Sequence, residues 1–434
     1  MPQIFWGIGG MAFLLFLAFL LSTNRRAINP RTVLGALAIQ IVFGVVVLYW
    51  DAGKRVLQAV SSGVQAVINS SREGIGFLFG PVLPEQEGSL VFAFQVLPVI
   101  IFFASLTAVL YHWNVLQWVV RIIGGALQKA LRTSQAESMS ATANIFVGQT
   151  EAPLVVRPYI PRMTDSEFFA VMTGGLATVA GSVLVGYSLL GARLEYLIAA
   201  SFMAAPAGLL MAKMVMPETA EPETVHSTAT EAVRAETDRG EEGETEKDET
   251  EKEQEEAGQD SEMGHRNVID AAAAGASDGL YLALNVGAML IAFISLIALI
   301  NLILGALGGV VGFPDLTFEL ILGYVFAPIM FIIGVPWNEA IGAGSFLGQK
   351  LVLNEFVAFS NFGPQAGDFS QKTTAIITFA LTGFANFGSL AILLGGLGGI
   401  APARRSQIAR FGVRAVLAAT LANLMSATIA GILL

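Results

Sequence analysis

The sequence predicts an all-α integral membrane protein, and three observations carry the prediction. Of its 434 residues, 54% are hydrophobic and only 13% are charged, whereas about a quarter of the residues in a soluble domain carry charge. The mean hydropathy is +0.65. The apolar residues also gather in long continuous runs, several reaching the roughly 20 residues that take a helix across the hydrocarbon. The strands of a membrane β-barrel would alternate apolar and polar positions in short segments instead. About eight runs are read as spans: 4–22, 33–50, 90–111, 166–190, 195–216, 278–305, 373–396 and 412–434.

The first run has no basic segment before it. It is followed by "STNRRAINPR" rather than a small-residue cleavage site, so it reads as a span and not as a removable leader. After the second run, "DAGKRVLQAVSSGVQAVINSSREGIG" mixes apolar and polar residues in the manner of a helix lying in the outer interface. Lys and Arg in short loops set the orientation. Arg25, Arg26 and Arg31, then Arg121, Lys129 and Arg132, then Arg404, Arg405, Arg410 and Arg414 can all be cytoplasmic if both termini face outward. The opposing set, Lys54, Arg55 and Arg72, is smaller.

Residues 133–160, "TSQAESMSATANIFVGQTEAPLVVRPYI", carry Pro153 and Pro158, with Pro161 just beyond, and their apolar stretches are too short to span. A re-entrant hairpin is expected, with its tip near Gly148 to Pro153. Non-helical backbone at that depth survives only when buried in protein or lining a wet cavity, which makes Gly148, Gln149, Thr150 and Glu151 candidate lining residues. The run at 166–190 is interrupted by glycines, and 195–216 is a regular span. Residues 217–266, including "ETDRGEEGETEKDETEKEQEEAGQDSEMG", have no aromatic residue and almost no branched aliphatic. Such a segment cannot bury enough apolar surface to offset its ordering entropy, so a disordered cytoplasmic loop is expected. It accounts for the net charge of -10, and the overall acidity therefore says little about partners.

Beyond the span at 278–305, "SFLGQKLVLNEFVAF" (345–359) repeats the pattern of "IFVGQTEAPLVVRPY": an aromatic, an aliphatic, Gly-Gln, and a glutamate within an apolar run. Each is followed by a glycine-interrupted segment. "GLATVAGSVL" (175–184) aligns with "GFANFGSLAI" (383–392) after one deletion, setting Thr178 near Asn386 and Ser182 near Ser389. Matched broken segments in two halves point to a secondary transporter, because unwound backbone and half-helix ends build a polar site at mid-membrane. With the acidic loop inside the cell, the two hairpins enter from opposite sides and the repeat is inverted. Packing of small residues between membrane helices also produces such spacing.

The absence of cysteine excludes disulfides and thiolate chemistry. The three histidines, His112, His226 and His265, form no intramembrane pair, and no HExxH or GxSxG occurs. These absences speak against an enzyme. A channel would share the polar re-entrant loops and remains the alternative from another class.

With these motifs in view, the chain resembles the concentrative nucleoside transporters, of the bacterial sodium/nucleoside symporter type. "GQTEAPLVVRPYI", "MTDSEF", "DAAAAGASDGLYLALNVGAMLIAF", "GVPWNEA", "LGQKLVLNEFVAF", "ALTGFANFGSLAI" and "GGLGGIAPARR" run in family order over almost the whole chain. The resemblance implies a homotrimer of eight-span protomers in the bacterial inner membrane. It implies elevator-type uptake of nucleosides (the uridine, cytidine and adenosine class) coupled to Na+, with H+ as the alternative coupling ion, and no nucleic-acid partner. It implies scaffold spans at 1–111 and 267–310. The first transport repeat would be 112–216 (hairpin 133–160, broken helix 166–190, span 195–216). The second would be 311–434 (hairpin 336–362, broken helix 373–396, last span 412–434).

Carried over by motif, Gln149, Thr150, Glu151 and Val183 face the nucleobase, and Glu355, Phe384, Asn386 and Ser389 surround the ribose. Sodium falls to the side chains of Asn144 and Thr178 and the carbonyls of Val147 and Val179. The chemistry suits these roles. A carboxylate such as Glu355 accepts two ribose hydroxyls, and the Gln149 amide both donates and accepts at a base edge. Other roles stay open: tip capping for Glu151 and Glu355, interhelical bonding for Asn144 and Thr178, and core packing for Phe384. Lys350 either pairs with Glu355 or another acid, or snorkels; no role is assigned to it. Gly148 leaves room for a purine, so broad acceptance of pyrimidine and purine nucleosides is expected, with Ser182 a second position bearing on base preference. Alignment across "SNFGPQAGDFSQK" (360–372) needs a length change and leaves the exit of the second hairpin undefined.

Overall fold

A computed structural model describes residues 2–83, 91–222, 266–310 and 312–434. Most of the acidic segment expected to be disordered, with His226 and His265, lies outside the described residues. Among these residues the secondary structure is entirely helical. In chain order the helices are α1 (Pro2–Leu21), α2 (Pro30–Gly44), α3 (Asp51–Phe79), α4 (Leu97–His112), α5 (Val115–Leu131) and α6 (Gln135–Ala143). After a 3-10 segment at Ala152–Arg162 come α7 (Asp165–Ala177), α8 (Gly181–Leu189), α9 (Leu194–Val215) and α10 (Val268–Val310). The last are α11 (Phe318–Ile332), α12 (Trp337–Val352), α13 (Glu355–Gln365), α14 (Gln371–Leu381), α15 (Gly388–Ile400) and α16 (Arg405–Leu433).

Burial sorts these helices into an inner and an outer set. The Asp165–Leu189 and Leu194–Val215 segments are each 94% buried and Pro402–Leu433 is 83% buried, against 11% for Val268–Val310, 17% for Phe92–His112 and 22% for Ile4–Leu21. The inner helices therefore meet protein on all sides, and the outer ones present apolar faces such as Ile291, Leu302 and Leu307. α16 can sit centrally because Ala, Ser, Thr and Gly crowd its sequence from Ala415 to Gly431, letting α9 and α14 approach closely. α3 buries a stripe of Gly53, Leu57, Ser61, Ile68, Ser71 and Ile75. That spacing is the one-sided pattern expected of an amphipathic helix.

Seven segments among the described residues are long and apolar enough to cross a membrane, and an eighth is counted if the α11–α12 pair, bent by 117°, is taken as one. The run at 373–396, read as a span and as the broken helix of the second repeat, is α14 and α15, each too short to span alone. α11 was not foreseen, because its 15 residues are fenced by Pro314 and Asp315 before and by Gly334 and Pro336 after. The bend follows from local chemistry. Gly334 takes φ +114°, and Val335 N bonds to Met330 O (3.0 Å) while Gly334 N bonds to Phe331 O (3.1 Å). This is a Schellman stop, and Pro336 then starts the next helix. The same stop ends α8, with Gly191 at φ +109° and Ala192 N bonded to Tyr187 O (3.1 Å).

Capping boxes begin both arms that lead into the first site half. Ser134 with Glu137 starts α6, and Thr164 with Glu167 starts α7. Glu137 has a second duty, pairing with the buried Lys213 of α9. Lys213 also donates to Ser166 Oγ (2.9 Å) and Glu218 Oε2 (3.3 Å). The base of the first hairpin is thereby tied to the end of α9.

Candidate functional site

Two hairpin tips and two breaks in helices converge on one place. The first hairpin is α6, a turn over 144–151, and the 3-10 arm; the second is α12, a short turn, and α13. The α7–α8 helix is unwound at 178–180 and the α14–α15 helix at 382–387. Each tip pairs with its own break: Gly181 N donates to Phe146 O (3.1 Å), and Phe387 N donates to Leu351 O (3.2 Å). The breaks also pair with each other, Phe384 N donating to Thr178 O (3.1 Å). Unwound backbone is thus satisfied by tip backbone, as burial requires.

In the first half, Asn144 is fully buried and donates through Nδ2 to Ser140 O (2.9 Å). Among the described residues, its Oδ1 has no hydrogen-bond partner, and neither does Oε1 of the buried Gln149. Both lie against the last turns of α7: a methyl built on Gly175 would sit 3.0 Å from Gln149 Cβ and 3.7 Å from Asn144 Oδ1. Thr178 Oγ1 donates to Gly174 O (2.9 Å) and keeps lone pairs to offer. A buried acceptor left unpaired costs about 1–3 kcal/mol, which makes both oxygens candidate ligand atoms. Val147 and Val183 are also buried.

Glu151 is exposed, and its carboxylate accepts from Gly148 N (3.2 Å) across the tip. Tip capping is therefore a role it fills. Together with Val147, Thr150 and Ser182 it also lines a cavity of about 560 Å³ whose far wall is Thr107 of α4 and Asp278 of α10. That size suits a small polar ligand.

The second half is closed. Glu355 is 4% exposed; its carboxylate accepts from Tyr187 OH (3.0 Å) and Asn386 Nδ2 (2.9 Å). Asn386 Oδ1 in turn accepts from Ser389 N (2.8 Å) at the start of α15. Phe384 is half-buried and Ser389 buried. Glu355, Phe384, Asn386 and Ser389 do not line the large cavity, so the two groups of predicted residues share a neighbourhood but not one open pocket. The stretch that left the second hairpin's exit undefined is the last part of α13 and a 3-10 turn at Ala366–Asp368.

Sequence reasoning missed Tyr187, which was read only as part of a span. It is buried, stacks on Phe359 (4.4 Å between centroids) and meets Phe356 edge-on (4.8 Å). It also missed Asn423 on α16 and left Lys350 without a role. Lys350 makes no ion pair among the described residues. Its ammonium instead donates to Ala380 O (2.7 Å) and Asn423 Oδ1 (2.8 Å). A polar residue in a membrane run was the available signal in each case.

Comparison with known proteins agrees with this architecture. Residues 9–82 match the profile described as the Na+ dependent nucleoside transporter N-terminus, 93–194 one described as nucleoside recognition, and 196–431 the Na+ dependent nucleoside transporter C-terminus. The uncharacterized transporter YutK of Bacillus subtilis is 54% identical over 99% of this chain and 99% of its own. The nucleoside permease NupC of Helicobacter pylori is 47% identical over 98% and 97%. The structure of CNTnw in an inward-facing substrate-bound state superposes with a TM-score of 0.88 at 51% identity, covering 99% of this chain and 98% of that one. Hairpins, paired breaks and these matches together place the chain in the family of concentrative nucleoside transporters, as a multi-pass membrane protein that is a transporter and not an enzyme.

Proposed function

We propose that the protein is a sodium-coupled symporter that carries nucleosides into the cell across a bacterial inner membrane by an elevator-type alternation. The observation that carries this reading is the pair of unpartnered acceptors, Asn144 Oδ1 and Gln149 Oε1, at the end of a half-helix. Sodium is a hard cation that takes oxygen ligands, and half-helix C-terminal ends with freed carbonyls suit it. Asn144 Oδ1, Thr178 Oγ1 and the carbonyls of Val147 and Val179 are its ligands in this reading. Gln149, Thr150 and Val183 meet the base, with Glu151 holding the tip and reaching the base from the cavity. Glu355, Asn386, Ser389 and Phe384 take the ribose, whose hydroxyls replace part of the donor set now on Glu355.

Sodium is favoured over a proton by the oxygens of Asn144 and Thr178 at the end of a half-helix. Glu355, which accepts from Tyr187 and Asn386, is the candidate carrier in the proton-coupled alternative. The moving body is read as the two hairpins, the two broken helices, α9 and α16, within 112–216 and 311–434. It shifts against α4 and α10, across the cavity that now separates Glu151 from Asp278. Three copies assemble through the exposed scaffold faces.

The test is accumulation of radiolabelled uridine in proteoliposomes under an imposed sodium gradient, then under a proton gradient at constant sodium. Saturable uptake only with the sodium gradient is the expected result, and uptake driven by neither disproves symport. Adenosine and inosine are expected to compete, since Gly148 leaves space at the tip. Complete indifference to purines refutes the broad base range.

A further inference from the structure

Lys350 is a fully buried amine for which the nucleoside and sodium roles above have no use. It stands on the arm of the second hairpin that leads to Glu355. Its two acceptors are Ala380 O, in the last turn of α14, and Asn423 Oδ1 on α16. The other end of the Asn423 amide donates to Ala177 O (2.6 Å) and Thr382 O (2.9 Å). Carbonyls only accept, so this network fixes which way the amide points. One lysine and one asparagine therefore hold the C-terminal ends of both half-helices, α7 and α14, at the crossing where Phe384 N meets Thr178 O.

The other repeat also sets a hairpin residue against a half-helix end, at a different place in the hairpin. The end of α7 faces Asn144 of the first hairpin, with its unpartnered Oδ1. The end of α14 faces Lys350 of the second. Helix C-termini carry partial negative charge and favour a cation. One of these two ends has a lysine amine tethered against it, and in the sodium-coupled reading the other receives a cation from solution.

We propose that Lys350 is a positioning residue whose amine, through Asn423, joins the two half-helix ends. Sodium arriving at the first break is thereby felt at the ribose residues of the second. The chain of contacts is short. Ala177 precedes Thr178, the proposed sodium ligand. Thr178 O holds Phe384 N, and Asn386 follows two residues on with its bond to Glu355. Among the described residues, withdrawing the clasp leaves the two breaks joined by the one backbone hydrogen bond from Phe384 N to Thr178 O. The inference rests on the sodium-coupled reading above.

The experiment measures uridine affinity calorimetrically on purified full-length protein in saturating sodium and in choline, for the parent, Lys350→Met and Asn423→Ala. In the parent, sodium is expected to raise uridine affinity about fivefold or more, within the usual range of coupling between sites. In both variants the sodium-to-choline ratio is expected to fall to within about twofold of unity. Should Lys350→Met not fold, Asn423→Ala, which keeps the Lys350–Ala380 bond, decides alone. A variant that binds uridine more weakly with and without sodium but keeps the parent's ratio shows a purely structural role and overturns the clasp. A parent whose affinity ignores sodium overturns the coupling reading, and the clasp with it.

Discussion

Replacing Tyr187 by Phe isolates one hydroxyl at the heart of the second site half. The ring has independent reasons to stay where it is, stacked at 4.4 Å on Phe359 and edge-on at 4.8 Å to Phe356, so the substitution removes the O–H and leaves the packing. What disappears is the 3.0 Å bond to Glu355 Oε1, one of the two side-chain donors that orient this carboxylate. A hydrogen bond to a charged group contributes about 1.5–3 kcal/mol. At 1.4 kcal/mol per tenfold, that converts to roughly 10- to 100-fold in apparent uridine affinity if Glu355 must be held in place to receive the ribose. Uptake kinetics in proteoliposomes under an inward sodium gradient would show this as a raised KM, and a thermal melt in detergent would show a lower Tm without ligand. A KM within twofold of the parent, in protein that reconstitutes equally well, would refute the claim that the Tyr187–Glu355 bond preorganises the ribose site.

Further expectations follow from other parts of the site. Gly383→Ala would place a methyl against the Asn423 amide and 2.8 Å from Ala177 O; this overpacking at the crossing should cost about 1–3 kcal/mol, seen as a depressed Tm together with lost uptake. Lys213→Met strands Glu137, which is 2% exposed, and loss of one partner of a buried pair costs about 3–5 kcal/mol; the double variant with Glu137→Gln should recover part of the melting temperature, and an unchanged Tm in the single variant would refute the pairing. Asn144→Ala removes the unpartnered Oδ1 and should raise the sodium concentration for half-maximal uptake by roughly tenfold, the scale of one hydrogen bond to a charge. Unchanged sodium dependence would move the ion elsewhere.

What could be read without coordinates was whatever a short window contains. Long apolar runs announced the spans, and the paired Gly-Gln motifs with glycine-interrupted segments announced two hairpins and two breaks. Glu355 and Asn386 stood out as polar residues in oil and are hydrogen-bonded to each other. α11 escaped because run length was the criterion and its run is short. Tyr187 escaped because nothing local separates a tyrosine that packs from one that packs and donates to a residue 168 positions away. The clasp was out of reach for the same reason: Asn423 finds Ala177 across 246 positions. Lys350 was expected to seek an acid or the membrane surface, and it instead found two carbonyl-type acceptors that only the assembled bundle brings together.

The hydrogen bond from Phe384 to Thr178 makes the two repeats neighbours at their least regular points. Each repeat's break is completed by the other's backbone, so neither half of the chain has a finished version of its own site. An inverted duplication of this kind begins as two interchangeable copies. Once the copies lean on each other here, an insertion or a bulky side chain in one break displaces the other. The halves can then drift apart more freely away from their shared contacts than at this junction, where a change on one side calls for an answering change on the other.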